Sequence, residues 1–90
     1  MERVIVEHLG QVDYTNIRVP MAVIYKDQPE VPGKFVVQLF DESNSTFTGY
    51  EVHCDTLMGA RMAIAKSKRM EVRFPPFDQD VPQLVEWWIG

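Results

Sequence analysis

Few residues in this 90-residue chain could carry covalent or metal chemistry. The candidates are Cys54, His8 and His53. Tetrahedral zinc needs four converging Cys, His or carboxylate ligands. His53 and Cys54 are neighbours in an alternating run, so as strand residues they point to opposite faces and cannot share an ion. Asp78-Gln79-Asp80 opens like a calcium loop. Gln83 stands where that loop needs glycine, however, and Ile89 where it needs glutamate. We therefore expect neither a metal nor a cofactor. Cys54 falls in phase with Tyr50 and Val52, the pattern of a small buried apolar residue. It also precedes a helix start, where the dipole would favour a thiolate. No serine stands in a nucleophile elbow. The five glycines, at 10, 33, 49, 59 and 90, are widely separated. Gln28 occupies the first glycine position of a phosphate loop ending at Gly33-Lys34. The chain reads as non-enzymatic, unless a site drawing on His53, Cys54 and Arg61 forms in three dimensions.

The elements that would position these groups are mostly strands, marked by period-two alternation broken at turn residues. Val4-Ile5-Val6 is a short β-branched run. From Ile17 to Tyr25 the odd positions are all apolar or aromatic, and Pro20 predicts an edge strand or a break. Asp27 to Gly33, with two prolines and a glycine, reads as a loop. From Lys34 to Asp41, Phe35, Val37 and Leu39 share one face, and Val36, Gln38 and Phe40 the other. Tyr50 to Cys54 alternates again and should pair with that strand as an antiparallel hairpin across the polar turn at 42–46. Asp55 or Thr56 caps the one expected helix, about residues 56–67. Leu57, Ala60 and Ile64 form its main stripe, and Met58, Met62 and Ala65 a second one. Met70 to Phe74 and Gln83 to Ile89 are further strands, separated by Pro75-Pro76 and an acidic loop. The expected fold is one α+β domain over residues 1–90. It has a mostly antiparallel sheet of about five strands, with the helix packed on one face.

From Phe35 to Ser67 the order is two strands, then a helix opened by Asp55-Thr56-Leu57 with Ala60 following. That layout is similar to HicB-like antitoxin domains. The likeness covers residues 35–67. Residues 1–33 have no counterpart in it, and no DNA-binding helix pair or ribbon follows.

Hydrophobic residues make up 46 % and the net charge is −4, which excludes an intrinsically disordered chain. No apolar run approaches the ~18 residues of a membrane span, so no membrane partner is expected. A single cysteine and an acid-flanked N-terminus without a leader pattern fit the reducing cytoplasm. Positive charge is nonetheless concentrated. Residues 57–73 hold Arg61, Lys66, Lys68, Arg69 and Arg73 against Glu71 alone. These cations could contact nucleic-acid phosphates or complement the helix dipole. At Glu86-Trp87-Trp88-Ile89, alternation puts Trp87 in the core with Val85 and Ile89, and Leu84 and Trp88 on the opposite face. One helix covers one sheet face, so Leu84 and Trp88 form a candidate interface on the other. The expected function is a small protein–protein interaction or homodimerising module. The alternative is a nucleic-acid-associated regulator using the basic 61–73 segment.

Overall fold

The computed structural model describes residues 3–76 and 82–90. The acidic turn at Asp78-Gln79-Asp80 lies outside the described residues. In chain order the elements are β1 (Val4–Ile5), a 3-10 turn at Leu9–Gln11, β2 (Pro20–Gln28), β3 (Val31–Asp41), β4 (Thr46–Cys54), α1 (Leu57–Ala65), β5 (Val72–Phe74) and β6 (Leu84–Ile89). The strands make one sheet in the order β1-β4-β3-β2-β6-β5. Every neighbouring pair is antiparallel except β1 with β4. The fold is thus α+β with a mostly antiparallel sheet and one helix against it. Among the described residues the sheet has six strands where about five were expected, because the two-residue β1 pairs in parallel with Tyr50 and Glu51 of β4.

Two local expectations are settled by the strand order. The run from Ile17 breaks at Pro20, where β2 begins, and β2 is an interior strand flanked by β3 and β6 instead of an edge. Pro20 is tolerated because it is the strand's first residue and pairs only with Asp41 of β3, while pairing to β6 begins at Met21. Residues 27–33, expected as a loop, are mostly strand on either side of the Pro29-Glu30 turn. An irregularity between Lys26 and Gln28 accommodates the breakers. Asp27 and Gly33 there have left-handed backbones, at φ 55° and 77°. The Gly33 N–H donates to Asp27 Oδ1 at 2.9 Å, which supplies the bond the ladder loses.

The core lies on the helix side of the sheet. Ala22 and Ile24 of β2, Val37 and Leu39 of β3, and Val52 of β4 meet Ala60, Ala63 and Ile64 of α1. Leu9, Val12 and Met70 complete it. The Thr56 hydroxyl caps α1 by accepting from the Gly59 N–H at 3.0 Å. The helix ends at Ala65, two residues short of the expected 67, and Lys68 turns the chain in a left-handed conformation. Two small alanines on the buried stripe let the helix lie close to the sheet. The second stripe, Met58, Met62 and Ala65, faces outward, with the methionines 64 % and 55 % exposed.

Asp41, at the end of β3, ties the segment before β2 to the β3–β4 turn. Its carboxylate accepts from the Ser43 hydroxyl (2.7 Å) and from the backbone N–H groups of Ser43, Val19 and Arg18. The Ser43 hydroxyl, with these N–H groups, holds its carboxyl down to about 2. A carboxylate whose pKa is lowered by folding stabilises the native state above its ordinary titration range, and that stabilisation disappears as pH falls through the lowered value. Urea midpoints should therefore drop between about pH 4 and pH 2. The Asp41→Asn variant should be less stable than the parent at pH 5 and flatter across that window. Parallel pH profiles for the two proteins would show that Asp41 is not the group responsible.

Candidate functional site

The sheet face turned away from α1 carries the most distinctive surface. Even positions of β3 and odd positions of β2 reach it, as alternation requires. Met21, Val23 and Tyr25 of β2, Phe40 and Glu42 from β3 and its turn, and Leu84 and Trp87 of β6 line a groove of about 340 Å³. Phe40 packs on Phe47 of β4 with ring centroids 5.4 Å apart. Trp87 stacks on Phe74 of β5 at 4.5 Å. Val23 and Val36 are buried on this face, while Met21, Tyr25, Phe40, Leu84 and Trp87 remain partly open. No described helix packs over it; α1 packs chiefly against β3, β4 and the 3-10 turn.

At one end of this face the apolar band gives way to a hydrogen-bonded cluster. The Glu51 side chain is only 2 % exposed. Gln38 Nε2 donates to its Oε2 at 2.7 Å, and His53 Nε2 lies 3.1 Å from its Oε1. Arg3 Nη1 stands 3.6 Å from Glu51 and 3.7 Å from Glu30 of the β2–β3 turn. Gln38 and Glu51 are register partners, so adjacent strands deliver them side by side. A buried carboxylate is stable only when paired and hydrogen-bonded, and these partners provide both. Arg3, Gln38, Glu30 and Tyr25 share a second groove, which meets the first at Tyr25. The face therefore has Glu42 at one rim and, at the other, Arg3 and His53 held against the carboxylates of Glu51 and Glu30. The alternation that places Glu51 and His53 on one face signals this pair; Gln38 and Arg3 enter only through strand order.

The structure exchanges the two tryptophans. Leu84 lies on the open face as expected, but Trp88 packs against the helix-side core and Trp87 takes the open face. The cause is a bulge. Glu86 pairs with Ile24 and Leu84 with Tyr25, so Val85 is an extra residue and alternation changes phase there. Leu84, Trp87 and Ile89 thus fall in register with the odd residues of β2, while Glu86 and Trp88 oppose Ile24 and Ala22.

The basic segment does not present five free cations. Arg61 Nε donates to the buried Glu86 carboxylate at 2.8 Å, and Arg73 Nε lies 3.5 Å from the same group. The Arg69 guanidinium sits over the Tyr14 ring, 4.5 Å from its centroid. Lys66 and Lys68 are exposed where α1 ends, as helix-dipole complements would be. His53, Cys54 and Arg61 do not converge. His53 joins Glu51 on the open face, Cys54 packs against the core, and Arg61 reaches β6. Burial, then the Asp55 charge, pushes the Cys54 thiol up, which opposes a reactive thiolate. Among the described residues, no group of three or more His, Cys, Asp or Glu side chains could hold a metal ion. No described helix is long and apolar enough to cross a membrane.

Fold and site define a class, an α+β domain with one helix-covered and one open, largely apolar sheet face. No protein-family model matches the chain, and neither a curated protein nor a solved structure matches it.

Proposed function

We propose that this chain is a non-enzymatic interaction module whose open sheet face takes a second copy of itself. The observation that carries this reading is the groove of Met21, Val23, Tyr25, Phe40, Leu84 and Trp87, drawn from three adjacent strands with no described helix over it. Contiguous apolar surface of this kind is characteristic of interfaces. A symmetric, antiparallel stacking of two such faces buries the same groove on both copies between their rims. The aromatic anchors Trp87 and Phe40 lie between those rims, where interface energy concentrates.

Sedimentation at micromolar concentration tests the reading directly. The parent chain should run as a dimer. Leu84→Glu places a charge in the groove and should weaken dimerisation by at least ~100-fold, the cost of one unpaired buried charge, while leaving the circular dichroism spectrum unchanged. The exposed helix substitution Met58→Glu should leave the dimer intact. A parent chain that stays monomeric at ~100 μM would sink the proposal, since a functional homodimer should form well below that concentration.

A further inference from the structure

One polar cluster on the open face lies outside the apolar groove. Its centre is Glu51, a carboxylate only 2 % exposed on a face that is otherwise largely apolar. Gln38, its register partner, donates to Oε2 at 2.7 Å, and His53 Nε2 lies 3.1 Å from Oε1. A well-packed apolar pair at 38 and 51 would avoid the desolvation cost of this arrangement. What the polar pair adds is the aim of one imidazole. Gln38 and Arg3 both offer Glu51 donors, as an ionised carboxylate requires. Such a carboxylate only accepts, so His53 Nε2 carries the ring proton and Nδ1 the lone pair. His53 is exposed, and its Nδ1 makes no hydrogen bond among the described residues.

A buried carboxylate on one ring nitrogen, with the other nitrogen open, is the arrangement that activates an imidazole. As Nδ1 attacks an electrophile the ring becomes cationic, and Glu51 already stands at Nε2 to stabilise that charge. His53 is on the rim, outside the two grooves of this face. An imidazole reached from solvent suits holding a transferred group more than turning over a bound substrate. Of the groups an imidazole nitrogen takes up, phosphoryl persists in neutral water, whereas acyl groups hydrolyse sooner. Arg3 against Glu51, and Lys34 against Asp55, offset the carboxylates two residues before and after His53, so an anionic donor can approach. We propose that His53 is a phosphoryl acceptor, modified at Nδ1 by a donor of the phosphoramidate (N–P) class. The Nδ1 lone pair forms the new bond to phosphorus. The donor's P–N bond breaks, and its electron pair leaves on a nitrogen that is already protonated. The imidazole keeps its Nε2 proton, bonded to Glu51. Glu51 is a positioning residue, since it touches the ring and not the donor.

The probe is phosphoramidate, incubated with the full chain at about pH 8, where an ordinary imidazole is neutral. Mass spectrometry without acid reports the rate at each histidine, and NMR reports which ring nitrogen carries phosphorus. His8 is the internal control, because its Nδ1 is engaged by the Gly10 N–H at 3.1 Å. His53 should be phosphorylated at least ~10-fold faster than His8, on Nδ1. Glu51→Gln should lower the His53 rate to that of His8, and His53→Gln should abolish the fast phase. The same measurement on Leu84→Glu keeps a rim covered in the dimer from passing for an unreactive ring. Four results would each overturn the proposal: no phosphohistidine at 53 in either protein, equal rates at His53 and His8, phosphorus on Nε2, or a folded Glu51→Gln variant that reacts as fast as the parent. Should Glu51→Gln not fold by circular dichroism, the rate ratio and the isomer in the parent decide. The acceptor site and the dimer interface thus fail or stand separately.

Discussion

Replacing Arg61 with methionine should destabilise the domain by about 3 kcal/mol, the scale seen when one partner of a buried ion pair is removed. For a domain of this size that corresponds to a melting temperature lower by roughly 15 °C. The reason lies in the partner. Glu86 is nearly inaccessible, and Arg61 makes its one hydrogen bond among the described residues. Arg73 remains, but at 3.5 Å it gives charge without that bond. Arg61 also links α1 to β6, so its loss loosens the helix on the sheet as well as stranding a charge. Arg61→Met combined with Glu86→Met should recover most of the loss, because a well-packed apolar pair substitutes for a buried ion pair at little cost. Thermal or urea unfolding of the two single variants and the double variant closes the cycle. A single Arg61→Met variant within about 0.5 kcal/mol of the parent, the range of ordinary surface substitutions, would show that Glu86 is hydrated and the pair is not structural.

Ile64→Ala should cost a similar amount, about 3 kcal/mol, in the range for deleting a fully buried branched side chain. Ile64 is 0 % exposed and packs within the core formed with Leu39, Val37 and Leu9. The neighbours cannot all collapse into the space, since Ala60 and Ala63 beside it are already small. Met62→Ala, two residues earlier on the same helix, is the control. It changes nearly as much side-chain volume at a position 55 % exposed. Its effect should stay within about 0.5 kcal/mol, as for other surface substitutions. Urea midpoints of both variants check the contrast. Equal losses would mean that the methionine stripe is covered in solution.

Those two helix stripes show what the sequence made legible. Leu57, Ala60 and Ile64 at helical spacing identify the packed face, and the alternation of Phe35, Val37 and Leu39 against Val36, Gln38 and Phe40 identifies both faces of the central strand. Element type follows from such periodicities because each element must bury one stripe or face. The open face was also readable in outline, since one helix cannot cover a wide sheet twice. Its membership was not. Strict alternation assigns Trp88 to it, and the bulge at Val85 gives the place to Trp87 instead. A single extra residue inverts every later side chain, and nothing in Leu84-Val85-Glu86 marks it. The same limit hid the Glu86 ion pair. Glu86 reads as an ordinary outward charge on a strand, and its partners Arg61 and Arg73 are distant in sequence. Only strand order shows that the basic segment is partly spent on an internal acid. In the hairpin at 27–33, breakers that usually end strands were absorbed by two left-handed residues and one hydrogen bond.

The strand order also has a temporal consequence. β2, β3 and β4 form a meander whose pairings are local, so they can assemble quickly and in sequence. β6 must return from the far end of the described chain to pair Ile89 with Met21 and Trp87 with Val23. Until it arrives, β2 is an unpaired sheet edge rich in apolar and β-branched residues, the template on which chains aggregate. During synthesis on the ribosome every nascent copy passes through that state, because β6 is made after all the strands it completes. The docking of Leu84–Ile89 therefore closes the β2 edge, the longest apolar edge the meander leaves open.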